Sequence, residues 1–238
     1  MPTLRLLSYN IRSMRDDRAA LARVIKSVDP HVVCVQEAPR FLRWRSTCAA
    51  LARTSGLVVA GGGRPAAANL LLCTLSVDVV KTRDVLFSKT AGLHQRGTSI
   101  AVLSLAGVRF AVAGTHLDLK ANARLRHIRE LDAAIGAHVP EGVAVIVAAD
   151  VNDDPTSETW RALSAGRTDA LASAAIGSIL TSPARRARQT IDGVFVDPRL
   201  LIKSARVLDT PDVASASDHR PILVEIELSS TSTASAAR

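Results

Sequence analysis

The 238-residue chain is poor in aromatic side chains, which make up 3%, and Tyr9 is its one tyrosine. Few rings are therefore available on which nucleic-acid bases could stack. Cysteine is scarce too. Cys34, Cys48 and Cys73 form no C-x-x-C pair, which excludes a disulfide scaffold and a zinc knuckle. Cys34 sits in the apolar run Val32–Val35 and is expected to be a buried, inert thiol. No apolar run approaches the roughly 18–20 residues that span a bilayer, so no membrane segment is expected. No H-E-x-x-H occurs, which sets a zinc peptidase aside. The chain does not open on a charged segment followed by an apolar one, so a cytoplasmic location is expected.

Apolar residues make up 47% of the sequence, too many for a disordered chain. A folded chain of this length buries about 70–75% of its unfolded surface, enough for a full core. The formal charge is +8, and arginine supplies 25 of the 30 cations. Guanidinium forks match phosphate oxygens, so the excess suits a phosphate-bearing partner. A GC-rich genome also enriches alanine and arginine together, and composition alone does not separate the two accounts.

Helical and strand patterns alternate along the chain. Strands are expected over 4–9, 31–35, 57–60, 69–75, 77–87, 98–105, 108–114, 143–148, 190–196, 201–208 and 221–228. Helices are expected over 16–28, 40–54, 121–138 and 156–163. Gly61-Gly62-Gly63 and Ala106-Gly107 read as turns. This mixture implies one α/β domain over residues 4–228, and residues 229–238 read as a disordered polar tail.

Polar residues collect where the apolar strands stop. Asn10 follows the first strand, and Gln36-Glu37 the second. Thr115-His116-Leu117-Asp118 and Asp150-Val151-Asn152 follow later ones, Asp192 opens another, and Ser217-Asp218-His219-Arg220 precedes the last. Strand ends on one sheet edge converge in space. Glu37, Asp150 and Asp218 are oxygen donors of the kind Mg²⁺ or Mn²⁺ prefers. His116 and His219 can donate to a developing oxyanion or move a proton. A metal, an activated water and imidazole donors together suit phosphoester hydrolysis. Each residue alone has a plainer explanation, such as a turn or a capped strand end. It is the recurrence in one short chain that points to chemistry.

The pieces Ser8-Tyr9-Asn10-Ile11-Arg12, Val35-Gln36-Glu37, Arg96-Gly97, Thr115-His116-Leu117-Asp118, Asp150-Val151-Asn152-Asp153, Ile191-Asp192 and Ser217-Asp218-His219-Arg220-Pro221 occur in a familiar order. In these the chain resembles the endonuclease/exonuclease/phosphatase superfamily. The resemblance implies a four-layer α/β sandwich, with two mixed β-sheets packed face to face and helices on the outside. It implies a Mg²⁺- or Mn²⁺-dependent hydrolase of phosphoester bonds. Glu37 would be the principal metal ligand, with Asn10 and Asp218. Asp150 would bind or activate the attacking water, and Asn152 would position it or the phosphate. His219, oriented by Asp192, would stabilise the transition state, and His116 would donate a further hydrogen bond. Deoxyribonuclease I-like members pair that histidine with a glutamate whose place is taken here by Gly97.

The expected substrate is nucleic acid, DNA or RNA, with a small phosphorylated metabolite or lipid headgroup as the alternative. Arg96, Asn152, Arg185 and Arg188 are the expected substrate contacts, and the expected state is a monomer. Arg40, Phe41, Arg43, Trp44 and Arg45 interleave cations with aromatics. Helical spacing of Phe41, Trp44 and Cys48 favours two rings buried under a solvated basic face.

Overall fold

The computed structural model describes residues 1–228; the tail expected over 229–238 lies outside the described residues. The first half runs β1 (Thr3–Asn10), α1 (Arg18–Ser27), β2 (Val32–Gln36), α2 (Trp44–Thr54), β3 (Val58–Gly63), β4 (Asn69–Cys73), β5 (Val77–Leu86), β6 (Gly97–Leu105) and β7 (Val108–His116). It continues with α3 (Ala121–His138), β8 (Val145–Asp150), α4 (Glu158–Ser164), β9 (Thr168–Asp169), α5 (Ala170–Ala174), β10 (Asp192–Val196), β11 (Leu201–Val207), α6 (Pro211–Ala216) and β12 (Ile222–Glu227).

The strands form two six-stranded sheets, ordered β11-β12-β1-β2-β4-β3 and β5-β6-β7-β8-β10-β9. Each is antiparallel except for one central parallel pair, β1·β2 in the first and β7·β8 in the second. Period-two alternation explains the layers. Leu4 and Leu6 of β1, Val32 and Cys34 of β2, Phe110 and Val112 of β7, and Ile146 and Ala148 of β8 meet in one core between the sheets. The intervening residues face outward. Leu7, Tyr9, Val33 and Val35 pack against Leu21, Val24 and Ile25 of α1 and Leu51 of α2. Ala113, Val147 and Phe195 pack against Ile128, Leu131 and Ile135 of α3 and Trp160 of α4. Helices, sheet, sheet and helices make the four-layer sandwich expected from the sequence.

Three local expectations are corrected. Gly61–Gly63 is not a turn but the end of β3, paired with Leu71, Leu70 and Asn69. A Cβ on Gly62 would lie 2.2 Å from the Asn69 carbonyl oxygen, and one on Gly63 2.4 Å from the Trp44 ring. Glycine is there for close approach, and the chain reverses over 64–68 instead. The second helix starts at Trp44 rather than Arg40, because Arg43 has φ 59° and breaks the helical path. Phe41 therefore never reaches the core and is 75% exposed, whereas Trp44 packs against it. Sequence periodicity also assigned no element to α5 or α6. Both are short and are set by caps: Asp169 accepts from Leu171 and Ala172 N–H, and Thr210 caps α6 with Pro211 at its first position.

Candidate active site

The alternation that builds the inter-sheet core also builds the site. Asn10, His116, Asp150 and Asp192 lie on the inward rows of β1, β7, β8 and β10, at the ends where apolar residues give out. Register brings them together: Asn10 lies beside Gln36, His116 beside Asp150, and Asp192 opposite Asp150. The two parallel pairs place the C-terminal ends of four strands at one mouth. Glu37 follows β2 directly, with φ 53°, and Asn152 follows β8 with φ 52°. Both are left-handed conformations that cost a non-glycine residue about 1–3 kcal/mol.

Hydrogen bonds tie the cluster. Asn10 Nδ2 donates to Asp150 Oδ2 at 2.7 Å and to Glu37 Oε1 at 3.3 Å, while Asn10 Oδ1 accepts from Arg12 N–H at 3.0 Å. The amide thus turns its nitrogen, not its oxygen, toward the carboxylates. Asn152 Nδ2 donates to the Leu117 carbonyl at 3.0 Å and meets His116 Nε2 at 2.8 Å. His219 Nδ1 lies 2.9 Å from Asp192 Oδ2, and its Nε2 lies 3.9 Å from Asp150 Oδ2. Thr181 Oγ1 accepts from Asp192 N–H, and Ser217 Oγ donates to the Asn10 carbonyl at 2.7 Å, which anchors the segment carrying His219.

The two histidines carry opposite charge states. Burial pushes His116 down to about 3, with Asp150 opposing and the Arg96 and Arg40 charges reinforcing. Burial also acts to lower His219. There the Asp192 carboxylate and its hydrogen bond, with Asp150 and Asp218 behind, prevail and raise it to about 10. His219 is an imidazolium at neutral pH and His116 a neutral ring. Asp150 is wholly buried, and burial together with Asp192 raises its proton affinity above that of an ordinary carboxylate.

The donor chemistry fits a hard divalent cation. Glu37 keeps 40% of its side chain exposed, and among the described residues its one polar side-chain partner within 3.5 Å is the Asn10 amide. Asp150, Asp192 and His219 offer ligand atoms within 4.8 Å of one another. Because His219 is protonated on Asp192, the donors available to a cation are the carboxylates.

Asn10, Glu37, His116, Asp150, Asn152, Asp192 and His219 therefore form one connected cluster. Asp218 stands slightly apart: its Oδ2 pairs with Arg12 Nε at 3.2 Å, and it faces a cavity shared with Arg12, Asp16 and Arg185. Arg185 lies on the rim and donates to the Ala214 carbonyl at 3.3 Å. Arg188 is exposed and lines none of the cavities that border the cluster. Arg96 lines a cavity with Glu37 and His116. Sequence reasoning missed Arg12, Arg15, Thr181 and His94. Arg12 lies inside a quoted motif and Thr181 is a lone residue in a loop, so pattern alone gave neither a role.

Residues 7–219 match the model of the Endonuclease/Exonuclease/phosphatase family, and the chain belongs to that family. No curated protein shows significant sequence similarity to the chain. Solved structures of the same fold include an endonuclease/exonuclease/phosphatase from Bacteroides vulgatus, with TM-score 0.82 and 20% identity over 96% of this chain and 100% of that one. A mannosyl-6-phosphatase from Bacteroides thetaiotaomicron matches with TM-score 0.81 and 20% identity over 94% and 100%. D. rerio TDP2 complexed with single strand DNA product matches with TM-score 0.72 and 17% identity over 95% and 100%. Among the described residues no helix is long and apolar enough to cross a membrane.

Proposed function

We propose that this protein is a Mg²⁺- or Mn²⁺-dependent hydrolase that cleaves phosphodiester bonds of nucleic acid with an activated water. The carrying observation is the convergence of the Asp192–His219 pair, Asp150 and Glu37 on one mouth. Glu37, with Asp150 beside it and Asp218 at its flank, would hold the cation, while Asn10 turns its amide nitrogen to Glu37 and Asp150 and positions them instead of ligating. A hard divalent ion there supplies charge neutralisation for the phosphate.

The chain's own residues supply the rest. Asp150, with its raised proton affinity, takes the proton of the attacking water. Asn10 and Asn152 hold Asp150 and His116 in place. His219, charged and oriented by Asp192, donates from Nε2 to the oxyanion that develops at phosphorus. His116, being neutral, acts as a hydrogen-bonding group rather than an acid. Arg96, from the cavity it shares with Glu37 and His116, would bind a phosphate of the substrate, and Arg185 lies at the rim beside Asp218.

Glu37→Ala and His219→Ala should each lower turnover by about two or more orders of magnitude. Full activity in both would overturn the assignment. A second reading, a phosphatase for a small phosphorylated metabolite, is favoured by the small cavity of about 230 Å³ beside Glu37, which has little room for a duplex. The likeness to a mannosyl-6-phosphatase supports it too. An activity panel with Mg²⁺ or Mn²⁺ over DNA, RNA, nucleotides, sugar phosphates and phospholipids decides between them.

A further inference from the structure

Among the described residues, eight arginines pair with a carboxylate. Arg5, Arg23, Arg124, Arg167 and Arg199 each pair with one at 2.6 Å, and Arg220 does so at 2.9 Å. Three arginines around one cavity have not. Arg15 from the loop after β1, Arg40 from the loop after β2 and Arg96 directly before β6 line the 230 Å³ cavity together with Ser13, Phe41 and His94. Among the described residues none of the three has a carboxylate within ion-pair distance. Arg40 meets His94 Nδ1 at 3.4 Å and lies over the Phe41 ring, 5.4 Å from its centroid. Arg96 Nε is buried and has no hydrogen-bond partner among the described residues.

Arg96 is partly buried, and a buried N–H without a partner is costly, as it is at its Nε. Burial holds the pKa of Arg96 below the ordinary guanidinium value although Asp150, Asp118 and Glu37 oppose the shift. An anion would supply that partner. It is not the scissile group, because His219, Asp192, Asp150 and Asn152 do not line this cavity; only Glu37 and His116 border both.

We propose that the cavity is a second anion subsite, and that the substrate carries another phosphate, beside the scissile one, which Arg15, Arg40 and Arg96 grip. The inference rests on the phosphoesterase function above. Three guanidinium forks from separate segments match the oxygens of one phosphate. Two sources present that chemistry: the neighbouring phosphate of a short nucleic-acid strand, or the second phosphate of a bisphosphorylated metabolite. A strand has room to continue, since a neighbouring cavity of about 580 Å³ shares Arg40 and exposed Phe41 and leads to Trp44.

The test compares substrates with and without the extra phosphate in the presence of Mg²⁺: a thymidine dinucleotide against its 5′-phosphorylated form, and a hexose 6-phosphate against the 1,6-bisphosphate. The native protein should prefer the more phosphorylated member of at least one pair by tenfold or more in kcat/KM. In the Arg15→Gln/Arg40→Gln double variant that preference should fall toward unity. A preference confined to the dinucleotides, and lowered by Phe41→Ala, assigns the subsite to a strand; one confined to the sugars assigns it to a metabolite. No preference in either pair, or one that survives the double variant, overturns the proposal.

Calorimetric titration of the metal-free protein with inorganic phosphate gives an independent readout. The double variant should bind phosphate at least tenfold more weakly. If the protein hydrolyses nothing yet binds phosphate through Arg15 and Arg40, the subsite stands and the phosphoesterase function falls. Hydrolysis with phosphate binding unaffected by the double variant removes the subsite alone.

Discussion

His116 and His219 sit at one mouth and should titrate in opposite directions. The ordinary histidine value, about 6.5, stands for the unfolded chain. His219 rises to about 10 in the folded protein, so its contribution to stability is full below pH 6.5 and is lost as the pH climbs through 10. His116 falls to about 3, so its contribution is full above pH 6.5 and is lost as the pH drops toward 3. In metal-free protein, the stability lost in His219→Gln should therefore shrink from pH 6.5 toward 10. His116→Asn should flatten the acid side of the stability profile. Denaturant unfolding across pH checks both, and a His219 effect that grows toward alkaline pH would contradict the Asp192 pairing.

Glu37 makes a second prediction at this scale. Its φ of 53° costs about 1–3 kcal/mol in a non-glycine residue. Glycine's extra chain entropy costs roughly 0.5–1 kcal/mol. Glu37→Gly should thus leave the metal-free protein at least as stable, with Tm raised by about 2–4 °C for each kcal/mol gained, while activity is lost. A large drop in Tm would mean that the carboxylate stabilises the fold rather than serving the site.

Among the elements, the pairing of β5 with β6 explains a departure noted in the sequence. Gly97 occupies the place where deoxyribonuclease I-like proteins carry a glutamate. A Cβ there would lie 2.4 Å from the Val85 carbonyl oxygen, and the Gly97 carbonyl already accepts from Asn69 Nδ2 and Thr115 Oγ1. His116 takes the Asn152 amide as its partner instead. Gly97→Glu should not restore an acid partner. It should force the end of β5 away from β6 and destabilise the fold by about 1–3 kcal/mol of overpacking, read as a lower Tm. Hydrogen exchange at Leu86 and Phe87 would report the disturbance.

The length of an element decided how legible it was. Helix α3, with four apolar turns, lies at 121–138 as its periodicity implies. Strands β1, β2, β7 and β8 differ from expectation only at their ends, because each carries an unbroken apolar row. Helices α5 and α6, with five and six residues, are too short for a periodic signal. The start of α2 was misplaced because Phe41 shares the helical spacing of Trp44 and Cys48 without sharing their burial.

At the scale of the whole molecule, the +8 charge takes on a direction. Arg15, Arg40 and Arg96 gather beside an acidic mouth, while many other arginines are spent on ion pairs. If nucleic acid is the substrate, three single-strand phosphate contacts imply that affinity falls roughly 20-fold between about 50 and 200 mM salt. Fluorescence anisotropy with a labelled oligonucleotide measures this. A flat salt response would assign the arginines to a small ligand or to composition alone.

The amino-acid order by itself determined which residues flank each strand and therefore which could meet: Asn10, Glu37, His116, Asp150 and Asn152 stand where apolar rows stop, and Asp192 and His219 where others begin. Period two is a local property, and it carries through from sequence to sheet. Only the tertiary structure decided who faces whom. It turned Asp218 toward Arg12, left Phe41 in solvent, made one histidine neutral and the other charged, and drew three unpaired arginines around one cavity. Those outcomes depend on burial and on charges distant in sequence, which act through space and leave no periodic trace along the chain.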